Sequence, residues 1–449
     1  MDLSIPYLCR VCDMWLALSS TTSNSESYEQ RDLDSSLHVV HRHGPCSSQS
    51  SKKATTSSDH DDILRLDQAR VKSIHSKLSK KLTARDRVSQ SQSTDPPARN
   101  QYITGSGNYI LKVGIGTPKQ NRSLVLDSGY DLTWTQCEPC GVSGTCYPQE
   151  EPIFNPSSSS TYTNVPCSSP LCDSLPSQGL NKYCSASNCF YNDTIYDDNS
   201  FTSGFFAKEK FTLDSEVFDS VNFGCVVNSD ENFKSRAGFL GLGRGEISFP
   251  SQMAVKYNNI FFYCIPSSRE YGGYLTFGSR GLSNSVKYTP ISTVKDTGSY
   301  YGLDIVSPDL EIPLTVFSTA GTIIDLNTEF TRLPPKAYAA LRTAFMEDMS
   351  EANYTITVGR SILDTCYTLP SLENVRLPTI LFSFGGGTVV ELDPVGMLYV
   401  FDVSQACFPF VGNDNDDDIA IFGNVQQRTM QIVYDGLGGR VGFAPNGCM

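Results

Sequence analysis

The chain has 449 residues, with 35 Lys and Arg against 48 Asp and Glu, for a formal net charge of −13. That length supports two sizeable hydrophobic cores, and no apolar run approaches the roughly 18 residues of a membrane span. Residues 1–100 carry 14 basic and 12 acidic side chains, which leaves 21 and 36 for the rest. A globular part that acidic is poorly suited to nucleic acid or an anionic membrane.

Residues 4–18 are moderately apolar, but Arg10 and Asp13 interrupt them and Asp2 stands in place of a basic start. This is a poorly formed signal peptide. Residues 20–58 and 84–101 are rich in Ser, Thr, Gln and charge and read as flexible connectors. Between them the pattern predicts one helix near 59–82. Asp59, Asp61 and Asp62 open it and Lys77, Lys80 and Lys81 close it, which suits the helix dipole. Ile63, Leu66, Ile74 and Leu78 share a face. A helix tethered by loose flanks ahead of an acidic domain reads as a removable prosegment, whose three lysines would mask acidic groups. A solvated helical linker is the alternative.

From Asn108 onward the pattern is mostly β. Tyr109 to Gly116 alternates and turns at Thr117-Pro118. The clearest later helix runs from Pro335 to about Met349. Many short strands with few helices argue for β-barrel or sandwich lobes. A weak repeat supports two of them. One apolar run ends in Asp127-Ser-Gly and another in Asp325-Leu-Asn. About a hundred residues after each acid come two hydrophobics and a glycine, Phe239-Leu240-Gly241 and Ile421-Phe422-Gly423. Carboxylates at the ends of buried strands need partners, so Asp127 and Asp325 are candidates for one carboxylate dyad.

Twelve of the 15 cysteines lie beyond residue 100, a number that suits six disulfides and an oxidising compartment. Cys137 and Cys140 have zinc-knuckle spacing, but no second pair follows. Asn121, Asn192 and Asn353 open candidate glycosylation sequons. All five histidines precede residue 76, which removes Ser-His-Asp, Cys-His and His-ligated metal chemistry from the acidic domain. Gly241-Leu-Gly243-Arg-Gly245 lacks the ending of a phosphate loop, and the acidic run Asp414 to Asp418 lacks the EF-hand glycine. No cofactor and no metal are expected. What remains is a pair of Asp sharing a proton, one acting as base on a water and the other polarising a carbonyl.

These residues resemble the pepsin-like aspartic proteases, specifically the plant nepenthesin-like branch and its chloroplast-nucleoid-binding-protease-like subgroup. The resemblance covers about residues 105–449. It rests on Asp127-Ser-Gly129, Asp131-Leu-Thr-Trp-Thr-Gln-Cys137-Glu-Pro-Cys140, Ala237 to Gly243, Leu363-Asp-Thr-Cys366, Ile421 to Gln427 and the end at Gly442 to Cys448. Leu37 to Cys46 and Asp67-Gln-Ala-Arg-Val71 look like the prosegment of the same subgroup. The resemblance implies an all-β, bilobal fold of two β-barrel-like lobes with a cleft between them. The implied division is 1–100 leader and prosegment, 101–290 N-terminal lobe with a Cys-rich insertion, and 291–449 C-terminal lobe. It also implies Asp127 and Asp325 as catalytic acids, Ser128, Gly129, Thr328 and Trp134 as support, Tyr196 as the flap tyrosine, and pairing of Cys366 with Cys407. A monomer acting on protein or peptide substrates follows, secreted to the apoplast or vacuolar, with the chloroplast as alternative.

Departures from the family pattern cluster near the acids. Tyr130 stands at the later hydroxyl position of the first loop, and Leu326 and Asn327 replace a hydroxyl residue and a glycine in the second. Leu326 is expected to leave Ser128 unanswered across the cleft, and Asn327 to lean on Asn's left-handed tolerance and crowd it. Asp197 replaces a flap glycine, and the stretch from Ile305 to Pro313 looks short. Three readings stay open: an active endopeptidase, a non-catalytic relative binding peptide or protein in its cleft, and a DNA-associated protein, which the acidic balance disfavours.

Overall fold

The alternation of Tyr109–Ile115 and the apolar run that ends at Asp127 form the first hairpin, with Ile115 opposite Gln120. The computed structural model describes residues 36–47, 57–86, 107–140, 146–194, 201–230, 233, 236–293, 296–306, 312–313 and 315–448. Leu124, Val125 and Leu126 are all buried, so this strand is covered on both faces, as an unbroken apolar run requires.

The weak sequence repeat is a real structural repeat. Gly238–Gly241 lies parallel to the first acid strand, with Gly241 beside Asp127, and Trp134–Gln136 runs antiparallel to it. In the second half Ala420–Phe422 lies parallel to Thr322–Ile324, and Thr331–Leu333 crosses it with Arg332 opposite Ile421. A Cβ on Gly241 would stand 2.3 Å from the Asp131 carbonyl oxygen, and one on Gly423 2.7 Å from the backbone of Phe330. Each glycine therefore lets a loop pass directly over the strand that flanks an acid. The fold is all-β and bilobal, with the cleft where the two acid loops meet.

One large sheet connects the halves. Its order includes Lys287–Pro290, Arg440–Ala444, Gln431–Asp435, Ile260–Cys264 and Gly273–Phe277, then Leu37–His41, Tyr109–Ile115 and Gln120–Asp127. Strands from both sides of residue 290 thus interleave in a single sheet. Residues 37–41, assigned by composition to a flexible connector, are a strand within it. Leu37 faces Leu275 and Val39 faces Leu111, so this strand is paired on both edges. The reason is its alternation: Leu37 and Val39 point into the core while His38 points out. Composition alone hid the signal because five residues of strand sit inside a long polar stretch.

Six disulfides bind Cys137 to Cys225, Cys140 to Cys146, Cys167 to Cys184, Cys172 to Cys189, Cys264 to Cys448 and Cys366 to Cys407. Cys137 and Cys140 each have a different partner, so they do not form a zinc knuckle. Among the described residues no helix is long and apolar enough to cross a membrane.

Val39 is fully buried between two strands. Val39→Asp should destabilise the protein by about 3 kcal/mol or more, since it places an unpaired carboxylate in the sheet core. Thermal unfolding of the full chain checks this, with His38→Asp on the outward face as the near-neutral control.

Candidate active site

Asp127 and Asp325 end the two central strands, and both are buried. Their loops meet back to back. The Gly129 N–H donates to Asp127 Oδ1 at 3.0 Å, and the Thr328 hydroxyl donates to Asp325 Oδ2 at 2.6 Å. Two bonds cross between the loops. The Leu326 N–H donates to Ser128 Oγ at 3.0 Å, and Asn327 Nδ2 donates to the Leu126 carbonyl at 3.0 Å.

Those two bonds correct the expectations for the second loop. Ser128 is answered by the backbone of Leu326, so the missing side-chain hydroxyl does not leave it alone. Asn327 does not crowd the cleft, because its amide turns to the carbonyl that precedes Asp127. Its φ is not positive either, so the left-handed tolerance of Asn is not used. Asn424 Nδ2 holds the Leu326 carbonyl at 3.0 Å from the other side. Gly129 is needed for contact rather than for φ, since a Cβ there would lie 2.1 Å from the Tyr300 ring. The Tyr130 hydroxyl, at the altered position, donates to Asp193 Oδ2 at 2.5 Å.

The leading helix, Ser57–Asp86, lies across this pair of acids. Arg70 Nε donates to Asp325 Oδ2 at 2.6 Å, and its Nη2 donates to Asp325 Oδ1 at 2.7 Å and to Asp127 Oδ1 at 3.1 Å. All three side chains are 1 % exposed or less, so nothing else fits between them. Burial alone would lower the Arg70 pKa, but the Asp127 and Asp325 carboxylates hold it well above its ordinary value. Burial pushes the Asp127 carboxyl up; Arg70 pulls it back and Asp325 pushes it up again, and the net shift is upward.

Of the three lysines expected to mask the acids, Lys77 is exposed and does not reach them, and the side chains of Lys80 and Lys81 lie outside the described residues. Arg70 takes that place because it lies on the buried face of the helix. Leu64 packs in a cluster with Phe330, Leu363 and Tyr399, while Val71, Ile74 and Leu78 pack with Tyr300, Ile419 and Ile421. Asp67 sits between these contacts and binds Arg332 and the backbone N–H of Glu329. Steps of three and four from Leu64 reach Asp67, Arg70, Val71, Ile74 and Leu78. The helical period therefore contained the signal, but two charged residues on the buried stripe concealed it.

Other candidate residues fall as follows. Trp134 is buried, stacked on Phe239 and edge-on to Phe233. Tyr196 and Asp197 lie outside the described residues, as do residues 4–18 and most of the stretch from Ile305 to Pro313. Asn121 and Asn353 are exposed, whereas Asn192 is half-buried. Asp418 of the acidic run accepts from Asn415 at 3.0 Å and lies 3.8 Å from His75 of the leading helix. Among the described residues no group of three or more His, Cys, Asp or Glu could hold a metal ion.

Comparison with known proteins identifies the family. The xylanase inhibitor N-terminal family matches residues 109–279, and the xylanase inhibitor C-terminal family matches residues 302–445. An Arabidopsis thaliana protein named as an aspartyl protease family protein is 59% identical over 96% of this chain and 91% of its own length. Aspartyl protease AED1 of the same plant is 53% identical over 98% and 92%. Aspartic proteinase nepenthesin-2 of Nepenthes gracilis is 35% identical over 77% and 78%. Two solved structures share the fold at 18% identity. They are edgp, with a TM-score of 0.62 over 78% of this chain and 92% of its own, and soybean basic 7S globulin, with 0.58 over 75% and 91%. The chain belongs to the pepsin-like aspartic protease family, in its plant branch.

Asn327→Ala removes a cross-loop donor and strands the Leu126 carbonyl, which should cost about 1–3 kcal/mol. A lowered unfolding midpoint checks this; an unchanged midpoint means that the Asn327 bond does not hold the loops together.

Proposed function

We propose that the chain is the inactive precursor of an aspartic endopeptidase, with Asp127 and Asp325 as its catalytic acids and the leading helix as its inhibitory prosegment. The observation that carries this reading is the Arg70 guanidinium, which bridges both carboxylates where a reacting water would sit. A buried cation needs this degree of anionic compensation, and two adjacent acids without one would share a proton.

With the helix gone, the pair holds a water between its carboxyl groups. The ionised member takes a proton from that water as its oxygen bonds to the peptide carbon, and the protonated member gives its proton to the carbonyl oxygen. The resulting diol collapses as the C–N bond breaks. The amine nitrogen takes the proton carried by the base, and a diol proton returns to the other carboxylate. No covalent enzyme intermediate forms, and the pair ends as it began.

Acid should open the cleft. The Arg70 guanidinium is held by the ionised pair and pulls the Asp127 carboxyl down against the burial that raises it. Protonating the pair removes the anions that compensate Arg70, so this part of the docking weakens as pH falls through the raised pKa of Asp127. Asp67 opposes this, because burial raises its pKa more than Arg332 lowers it. Asp67 therefore does not supply the acid sensitivity of docking, whereas His75, whose pKa burial lowers, adds to that of the pair.

The non-catalytic reading was motivated by Leu326 and Asn327, and the two cross-loop bonds remove most of that motive. Six disulfides support an oxidising destination, the apoplast or vacuole, over the chloroplast. The chain is proposed to act as a monomer on protein or peptide substrates.

The full chain should cleave denatured protein between about pH 3 and 6 and be blocked by pepstatin-type inhibitors. Activity no greater than that of Asp127→Ala would end the protease reading and leave the non-catalytic one. Arg70→Ala should let the chain process itself at higher pH, at least about tenfold faster near pH 6, because it removes the compensating cation. Time courses on gels read this, and an unchanged pH profile would show that Arg70 is not the latch.

A further inference from the structure

A second ion pair joins the leading helix to the cleft, away from the two acids. Arg332, on Thr331–Leu333, donates from Nη2 to Asp67 Oδ2, and both side chains are buried. The other oxygen of Asp67 accepts the Glu329 N–H at 2.6 Å and the Phe330 N–H at 3.3 Å. A carboxylate at this point therefore meets three donors supplied by residues 329–332. Arg332 Nε is buried and has no hydrogen-bond partner among the described residues, so the guanidinium has donor capacity that Asp67 does not use.

The neighbouring charges do not satisfy it. The Glu329 carboxylate is held by Arg428 at 3.1 Å, Asn108 at 3.2 Å and Asn424 at 3.2 Å. His75 feels the Arg332 charge but sits on the helix, bonded to the Ile419 carbonyl at 3.0 Å. All three donors to Asp67 belong to the body of the protein, and only the carboxylate belongs to the helix. When the helix leaves, the wall of the cleft keeps a guanidinium and two N–H groups without their anion. Leaving such a group unpaired is costly, so an incoming carboxylate regains what the helix supplied.

Asp67 precedes Arg70 by three residues, or about 5 Å along a helix. An extended peptide covers that distance in about two residues. We infer that Arg332, with the backbone N–H groups of Glu329 and Phe330, forms a carboxylate-binding subsite that selects peptides carrying Asp or Glu within about two residues of the bond lying over the acid pair. The cleavage side of this inference rests on the protease reading; the binding side does not.

The test uses the full chain carrying Asp67→Ala, Arg70→Ala and Ile74→Asp, so that neither charge nor the apolar face holds the helix on the site, together with Asp127→Ala, so that the peptides are not cleaved. Fluorescent decapeptides differing only by Glu or Gln, scanned through each position, are titrated by polarisation at about pH 6, where the free carboxylate is ionised. At one position the Glu peptide should bind about tenfold tighter or more. Adding Arg332→Gln should erase the preference. Arg332→Lys, which keeps the charge without the planar fork, should retain part of it. If Arg332→Gln does not fold, a reduced preference in Arg332→Lys supports the subsite and an unchanged one overturns it. Twins that bind alike or not at all at every position, or a preference that survives Arg332→Gln, overturn it as well. Acid-activated wild type should show the same position in kcat/KM. Binding preference without cleavage would end the protease reading and keep the subsite, while cleavage without preference would end the subsite alone.

Discussion

A guanidinium enters a protein interior only where anions already wait for it, and this molecule provides two. The Arg70 contact fixes the register of the leading helix, because its fork reaches both oxygens of Asp325 and one of Asp127 only from one place. With Arg70 seated, Asp67 falls one turn earlier onto Arg332, and Ile74 one turn later onto the apolar wall that includes Tyr300. Each apolar contact adds about 1.5–3 kcal/mol if fully buried, but none could specify position alone. The charges supply the register and the hydrocarbon supplies the affinity.

That arrangement presupposes that the acids are held still. The two loops depend on each other through a pair of unlike bonds, backbone to hydroxyl in one direction and side-chain amide to carbonyl in the other. A strict two-fold pattern would use the same chemical group twice. Here an amide, one position further along, reaches the carbonyl before the opposite acid. The substitutions at Leu326 and Asn327 thus belong together: one removes a hydroxyl and the other introduces a new donor. Judged separately from sequence, both look like damage.

Much of the fold was legible. The alternating hairpin, the two acid-bearing runs and their delayed glycines defined two lobes, because buried strands and close backbone approach leave patterns in residue type. The even cysteine count pointed to disulfides but could not pair them, since pairing is a property of three-dimensional proximity. The leading strand was lost in a polar stretch where five residues carry too little period. The masking residue was missed for a different reason. Composition drew attention to lysines at the helix end, whereas burial is decided by face, and Arg70 was the cation on the right face. Asn327 could not be read at all without its partner, a backbone carbonyl that has no sequence signature.

The position of Leu37–His41 gives the leader two attachments of different kinds. The helix is held partly by ionised groups, so its hold varies with proton concentration. The strand is held by backbone ladders on both edges, to Gly273–Phe277 and to Tyr109–Ile115, and peptide groups do not titrate in this range. Acidification can therefore loosen the first attachment while the second stays closed. Severing the chain between the helix and residue 107 would not by itself discard the leader: the strand would remain as a non-covalent splint between two strands of the large sheet, and its departure would be a separate event.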